Sequence, residues 1–160
     1  MKEDPRQGLA ALLDAFDRKQ DEATMRADQV RTRQESFLDW FHSLRKKLIE
    51  PLMHQVGEQL AQRGHLYCVR VEEGSQQDNP GVFLDMTPVH AKLMHGEKAP
   101  HVGFIAHPPS GRGGAQVKAI WHGRSGGGPL GSFGELTLDE LPEEKIMEVL
   151  LKGIKLILGV

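Results

Sequence analysis

One cysteine, one tyrosine and two tryptophans stand in 160 residues, and aromatic side chains make up only 6% of the chain. The lone thiol, Cys68, has no partner for an internal disulfide and fits a reducing compartment. Its neighbours Tyr67 and Val69 place it in a strand, where a small buried hydrophobe is a more natural role than a reactive thiol. Neither sign of charge is in excess: 20 basic residues face 22 acidic ones, for a formal charge of -2. That balance excludes a chain-wide attraction to nucleic acid, so any such contact has to be local and is not expected. No apolar run approaches the roughly 18 residues needed to span a bilayer. The opening Met1-Lys2-Glu3-Asp4-Pro5 lacks the basic-then-apolar order of a secretion signal. A soluble cytoplasmic protein is therefore expected, with no membrane contact.

Signatures of chemistry are equally scarce. The glycine-rich stretches 110–114 and 123–129 let backbone N–H groups approach an anion, and Arg112, Lys118 and Arg124 lie in or near them. They lack the Gly-x-x-x-x-Gly-Lys-Ser/Thr order and do not lead into a helix, so mobile hairpin tips are the simpler reading. If an anion or nucleic acid binds, these three cations are its contacts. Ser110, Ser125 and Ser132 lie in turns without a nucleophile elbow or a partner order suggesting a triad. His90 and His95 are spaced for neither a helix pair nor a strand pair. His101 and His107 share strand parity but would lie about 20 Å apart, too far to share an ion. His107 and His122 could meet across a hairpin. Asp85 with Glu72 or Glu135 could supply paired carboxylates, although a solvated sheet face explains them as well. No metal, cofactor or catalytic residue is assigned. Trp40 with His101, His107 and His122 is kept as the candidate ligand-binding set, for a cleft between helix and sheet.

What the chain does contain is a change of period. Leu9, Leu12, Leu13 and Phe16 form a helical stripe over about residues 6–20, and a polar run without Gly or Pro follows. A continuous helix to about residue 63 is possible. Phe37, Trp40, Phe41, Leu44, Leu48, Leu52, Val56 and Leu60 then recur three or four apart, which puts them on one core-facing stripe. Pro51 interrupts this pattern and predicts a kink or a short break near 47–51. Gly64 ends the helix. Five short alternating runs follow, at 66–73, 82–87, 101–107, 116–122 and 133–138, separated by Gly/Pro-rich turns. The longer connection 89–100 has room for a helical turn. Ile146, Val149, Leu150, Ile154 and Ile157 mark a last helix, with Pro142 near its first turn and Gly153 weakening its middle.

The order helix, strands, helix predicts an α+β fold: a long N-terminal helix, an antiparallel meander sheet of about five strands, and a C-terminal helix on the same sheet face. Residues 1–35 read as a helical arm and 36–160 as one domain. Outer-face positions of the second and fourth strands are mixed in polarity, which points to partial burial of that face. The arm exposes an apolar stripe unless something covers it, so Leu9, Leu12, Leu13 and Phe16 are the candidate oligomer contacts. The functional expectation is a non-catalytic interaction module that self-associates, most simply as a dimer, or docks a protein partner. The alternatives are a ligand-binding or enzymatic domain and a nucleic-acid accessory protein.

Overall fold

The computed structural model describes residues 4–75, 77–91, 99–110, 113–123, 133–138 (backbone) and 140–160. Helix α1 runs from Pro5 to Leu44, continues through a π-helical turn at Arg45–Ile49 and passes into α2, Glu50–Gln62. The Asp4 carboxylate accepts the Arg6 N–H at 3.0 Å, and Pro5 occupies the first turn, where its missing N–H costs nothing. At the far end the Gly64 N–H reaches Ala61 O and the His65 N–H reaches Leu60 O. These two bonds close the helix as a Schellman motif, with Gly64 left-handed at φ 87°.

Pro51 neither breaks nor restarts the helix. A proline lacks the N–H for the usual bond, and its ring crowds the carbonyl four residues back, at Lys47. The backbone responds by widening one turn, so that the Glu50 N–H bonds to Arg45 O five residues away. That turn retards the phase of everything after it. Phe41, Ile49 and Met53 are completely buried, whereas Leu44, Leu48 and Leu60 are only partly covered and Trp40 is exposed. Arg45, one turn beyond Phe41 on the same face, is buried too.

The sheet is a five-stranded antiparallel meander, β1 Leu66–Glu72, β2 Gly81–Thr87, β3 His101–His107, β4 Gln116–His122 and β5 Phe133–Leu138. Its inner face carries Val69, Val82, Leu84, Met86, Val102, Phe104, Ala106, Val117, Ala119 and Trp121, all packed into one core with the helices. Helix α2 lies over β1 and β2, and helix α3, Glu143–Leu158, over β3 and β4. Gly153 explains itself there. A Cβ at that position would lie 2.6 Å from Val102, so glycine lets α3 approach β3. The helix ends on left-handed Gly159.

A stability series distinguishes the observed phase from an unbroken 3.6-residue stripe. Ile49→Ala should lose about 2–5 kcal/mol in urea denaturation, and Leu48→Ala clearly less. The reverse order would mean that the π-turn is absent in solution. Gly153→Ala should also destabilise, by roughly 1–3 kcal/mol, despite the better helix propensity of alanine. A gain in stability would place α3 farther from the sheet.

Candidate functional site

Two surfaces remain after the core is built: the outer face of the sheet and the outer length of α1. On the sheet, strand register brings Arg70, Phe83 and Gly103 into one row across β1, β2 and β3. Phe83 is 4% exposed although it points away from the core. Glycine opposite it leaves room, since a Cβ at Gly103 would meet the Phe83 ring at 2.4 Å. The Arg70 guanidinium lies 4.4 Å from the ring centroid and closes the top. Asp85 holds that guanidinium with two bonds, Nε to Oδ2 at 2.9 Å and Nη2 to Oδ1 at 3.2 Å, and Glu72 pairs with its Nη1. The Asp85 hydrogen bonds raise the Arg70 pKa, with burial working against them.

His101 stands edge-on to Phe83, with ring centroids 5.7 Å apart, and stacks on His122 at 5.5 Å and 11°. Its Nδ1 lies 3.1 Å from Ala99 O, which assigns the neutral ring's proton to Nδ1 and leaves Nε2 as the acceptor. Burial holds His101 below the ordinary imidazole value of 6.5, partly offset by the bond to Ala99. Arg70, Glu72, Asp85, Ala99 and His101 line a hollow of about 280 Å³. Its charge chemistry is largely internal, because the one guanidinium already engages both carboxylates. Among the described residues no group of three or more His, Cys, Asp or Glu could hold a metal ion.

The candidate residues are therefore scattered. His101 and His122 face each other directly, whereas His107 sits at the opposite end of β3 across from Gln116, with its Nδ1 3.1 Å from Asn79 Nδ2. The His107–His122 encounter across the hairpin does not occur. Trp40 lies on α1 beside Phe37, with centroids 5.6 Å apart, and does not line the Arg70 hollow. Between helices and sheet, Phe41, Ile49, Met53 and Phe104 are packed into the core. Lys118 is on the outer face opposite Ile105, while Arg112, Arg124 and His95 lie outside the described residues. Asp85 and Glu72 are bridged by Arg70 rather than paired with each other, and the Glu135 side chain lies outside the described residues. Cys68 is exposed on this face, not buried.

Arg45 was not among the expected site residues. It is 4% exposed, reaches Glu73 at 3.5 Å and Glu50 at 3.7 Å, and its Nε and Nη1 have no hydrogen bond. Position 45 lies one turn beyond Phe41, on the same helix face, so ordinary periodicity places it inward; a stripe traced through apolar residues alone passes over a charged residue there.

The arm is the larger unfilled surface. Every residue from 4 to 29 is exposed, including Leu9, Leu12, Leu13, Phe16 and Met25, the first four at 54–69% of their full surface. The body is first reached at Gln34, whose Nε2 donates to Pro109 O at 2.8 Å. Residues 5–33 make a helix of about 44 Å in which only Val30 is even partly covered. The arm carries a more ordered pattern than a single stripe, apolar except at Gln20 and Gln34. Leu9, Leu13, Phe16, Gln20, Ala23, Ala27, Val30, Gln34, Phe37, Phe41 and Leu44 alternate in steps of four and three. This is the 3.5-residue repeat of a coiled-coil seam. Its upper end, Phe37 to Leu44, packs on the chain's own core, and its lower end, Leu9 to Ala27, is exposed.

The environment of His101 gives a pH test. Its depressed folded pKa means that the unfolded chain binds the extra proton more readily, so its contribution to stability is complete above pH 6.5 and is lost as pH falls below that value. An NMR titration of the His101 ring should give a midpoint below 6.5, and a midpoint above it would contradict the burial described. No protein-family model, curated protein or solved structure matches the chain, so the reading of its function rests on these two surfaces.

Proposed function

We propose that the chain is a non-catalytic self-association module, in which the α1 arm pairs with a helix of a second copy and the α+β body is what that pairing displays. The observation that carries the reading is the seam itself. A 3.5-residue repeat is a property of helices that wrap around a partner, and a solvated single helix has no reason to keep one over five turns or more. Leu9, Leu12, Leu13 and Phe16 each forgo about 1.5–3 kcal/mol of burial while they stand in water. The exposed ion pairs along the arm, Arg26 with Glu22 and Arg31 with Asp28, contribute only about 0.3–0.5 kcal/mol each and do not compensate.

The outer sheet face supports a display role better than a catalytic one. Arg70, Asp85 and Glu72 satisfy one another there, and nothing described on that face combines a nucleophile, a base and an orienting group. The near-neutral charge argues against nucleic acid as the partner. No helix among the described residues is long and apolar enough to cross a membrane. With the unpaired Cys68, this fits a cytoplasmic setting.

Light scattering tests the reading. The full chain should have at least twice the monomer mass, and L12D/F16D, or removal of residues 1–20, should return it to monomer while the near-ultraviolet signal of Trp121 and the unfolding midpoint of the body stay in place. A monomeric full chain at tens of micromolar would overturn the proposal, and an unchanged mass in the variants would move the interface to the sheet.

A further inference from the structure

We infer that the second copy runs antiparallel, so that the bulky half of each arm lies on the small-residue half of the other and the two bodies sit at opposite ends of a shared helical rod. This inference rests on the self-association reading above and fixes the geometry that reading leaves open.

The first argument is size. Along the free seam the large residues Leu9, Leu13 and Phe16 occupy the N-terminal half, Gln20 stands near the middle, and Ala23, Ala27 and Val30 follow. A parallel, in-register pair would stack Phe16 on Phe16 and leave Ala23 and Ala27 facing their own copies, wide at one end and hollow at the other. Close packing penalises both. Reversing one helix sets Leu13 and Phe16 against Ala23, Ala27 and Val30 twice, once in each half, as a two-fold interface requires.

The second argument is access. At position 34 the seam is already occupied, because Gln34 is bonded to Pro109 beside the β3–β4 connection, and from Phe37 onward the same seam faces the chain's own core. A parallel partner would follow this seam into the body and bring its own body to the same place. An antiparallel partner ends instead, since its helix begins at Pro5. The seam is open over the stretch that reversed pairing uses and closed where parallel pairing would have to continue.

The resulting object is a rod of about 45 Å with a sheet at each end, the two outer faces held apart by the arms. It acts as a spacer that presents two copies of whatever the outer face contacts.

Thiol cross-linking decides the orientation. Exposed Cys68 is first changed to Ser, and L13C and A27C are then made separately in the full chain. In the antiparallel pair the two position-13 thiols are at least about 15 Å apart along the rod, while 13 and 27 of different copies are near neighbours. A short bis-maleimide should leave L13C alone uncross-linked and should join L13C to A27C when the two proteins are unfolded together, refolded and mixed. Efficient L13C homodimer with a dimeric mass would overturn the orientation but leave self-association standing. A monomeric mass would remove the self-association reading itself. A dimer that cross-links at neither combination would put the interface elsewhere and overturn both.

Discussion

The packing of one helical stripe against the inner face of the sheet is the constraint on which the rest of the molecule depends. Phe41, Ile49, Met53 and Val56 meet Val82, Leu84, Met86 and Phe104, and no other surface of the 5–62 helix is buried to that degree. Because the helix is continuous from Pro5 to Gln62, fixing its C-terminal half on the sheet also fixes the direction in which the arm leaves the body. The π-turn at Arg45–Ile49 is where this constraint meets covalent geometry. Pro51 cannot sit in a regular α-helix without loss, and one extra residue in the turn relieves the clash while keeping the next residues on the sheet. The exposed seam is thus a continuation of the core, carried about 44 Å beyond it.

The outer sheet face follows from the same economy of a thin domain. A two-layer α+β fold leaves one sheet face without a covering layer, and aromatic residues on such a face would be lost to water. Phe83 escapes because Gly103 lets it lie flat on β3 and Arg70 covers it from β1. The arginine can do so only because Asp85, on the same strand as Phe83, holds its fork in two places. His101 and His122 extend the cover with stacked rings. Replacing a hydrophobic layer by this polar lid keeps the face water-compatible while giving it a definite relief.

Much of the fold was legible in the sequence because each strand is short, alternates, and is bounded by Gly or Pro. The expected runs at 82–87, 101–107, 116–122 and 133–138 differ from the observed strands by no more than a residue, and the meander order follows from connections whose sequences carry no long helical pattern. The identity of the buried helix residues was less legible. The expected Phe41, Leu52 and Val56 are buried, but beyond the π-turn Ile49 and Met53 are completely enclosed while Leu48 is only partly covered, and Arg45, one turn after Phe41, is buried as well. Side-chain partnerships between strands were not legible at all. The Arg70–Asp85 clasp requires the register in which Cys68 faces Asp85 and Arg70 faces Phe83, and a one-residue slip would undo it. The coiled-coil seam is different, since it is written in the sequence but emerges only when residues 9–44 are read as one helix. Divided at Ser36, it looks like two unrelated stripes.

The central claim is that the seam from Leu9 to Val30 is covered by another copy. Amide hydrogen exchange along α1 reads this directly, because it reports each residue's opening free energy separately from the body. At concentrations where the chain is associated, amides 9–30 should be protected to a degree approaching that of 41–62. On dilution below the association range they should exchange freely while 41–62 remain protected. Fast exchange of 9–30 at every concentration would contradict the account, because it would leave the arm an uncovered helix whatever the mass of the particle.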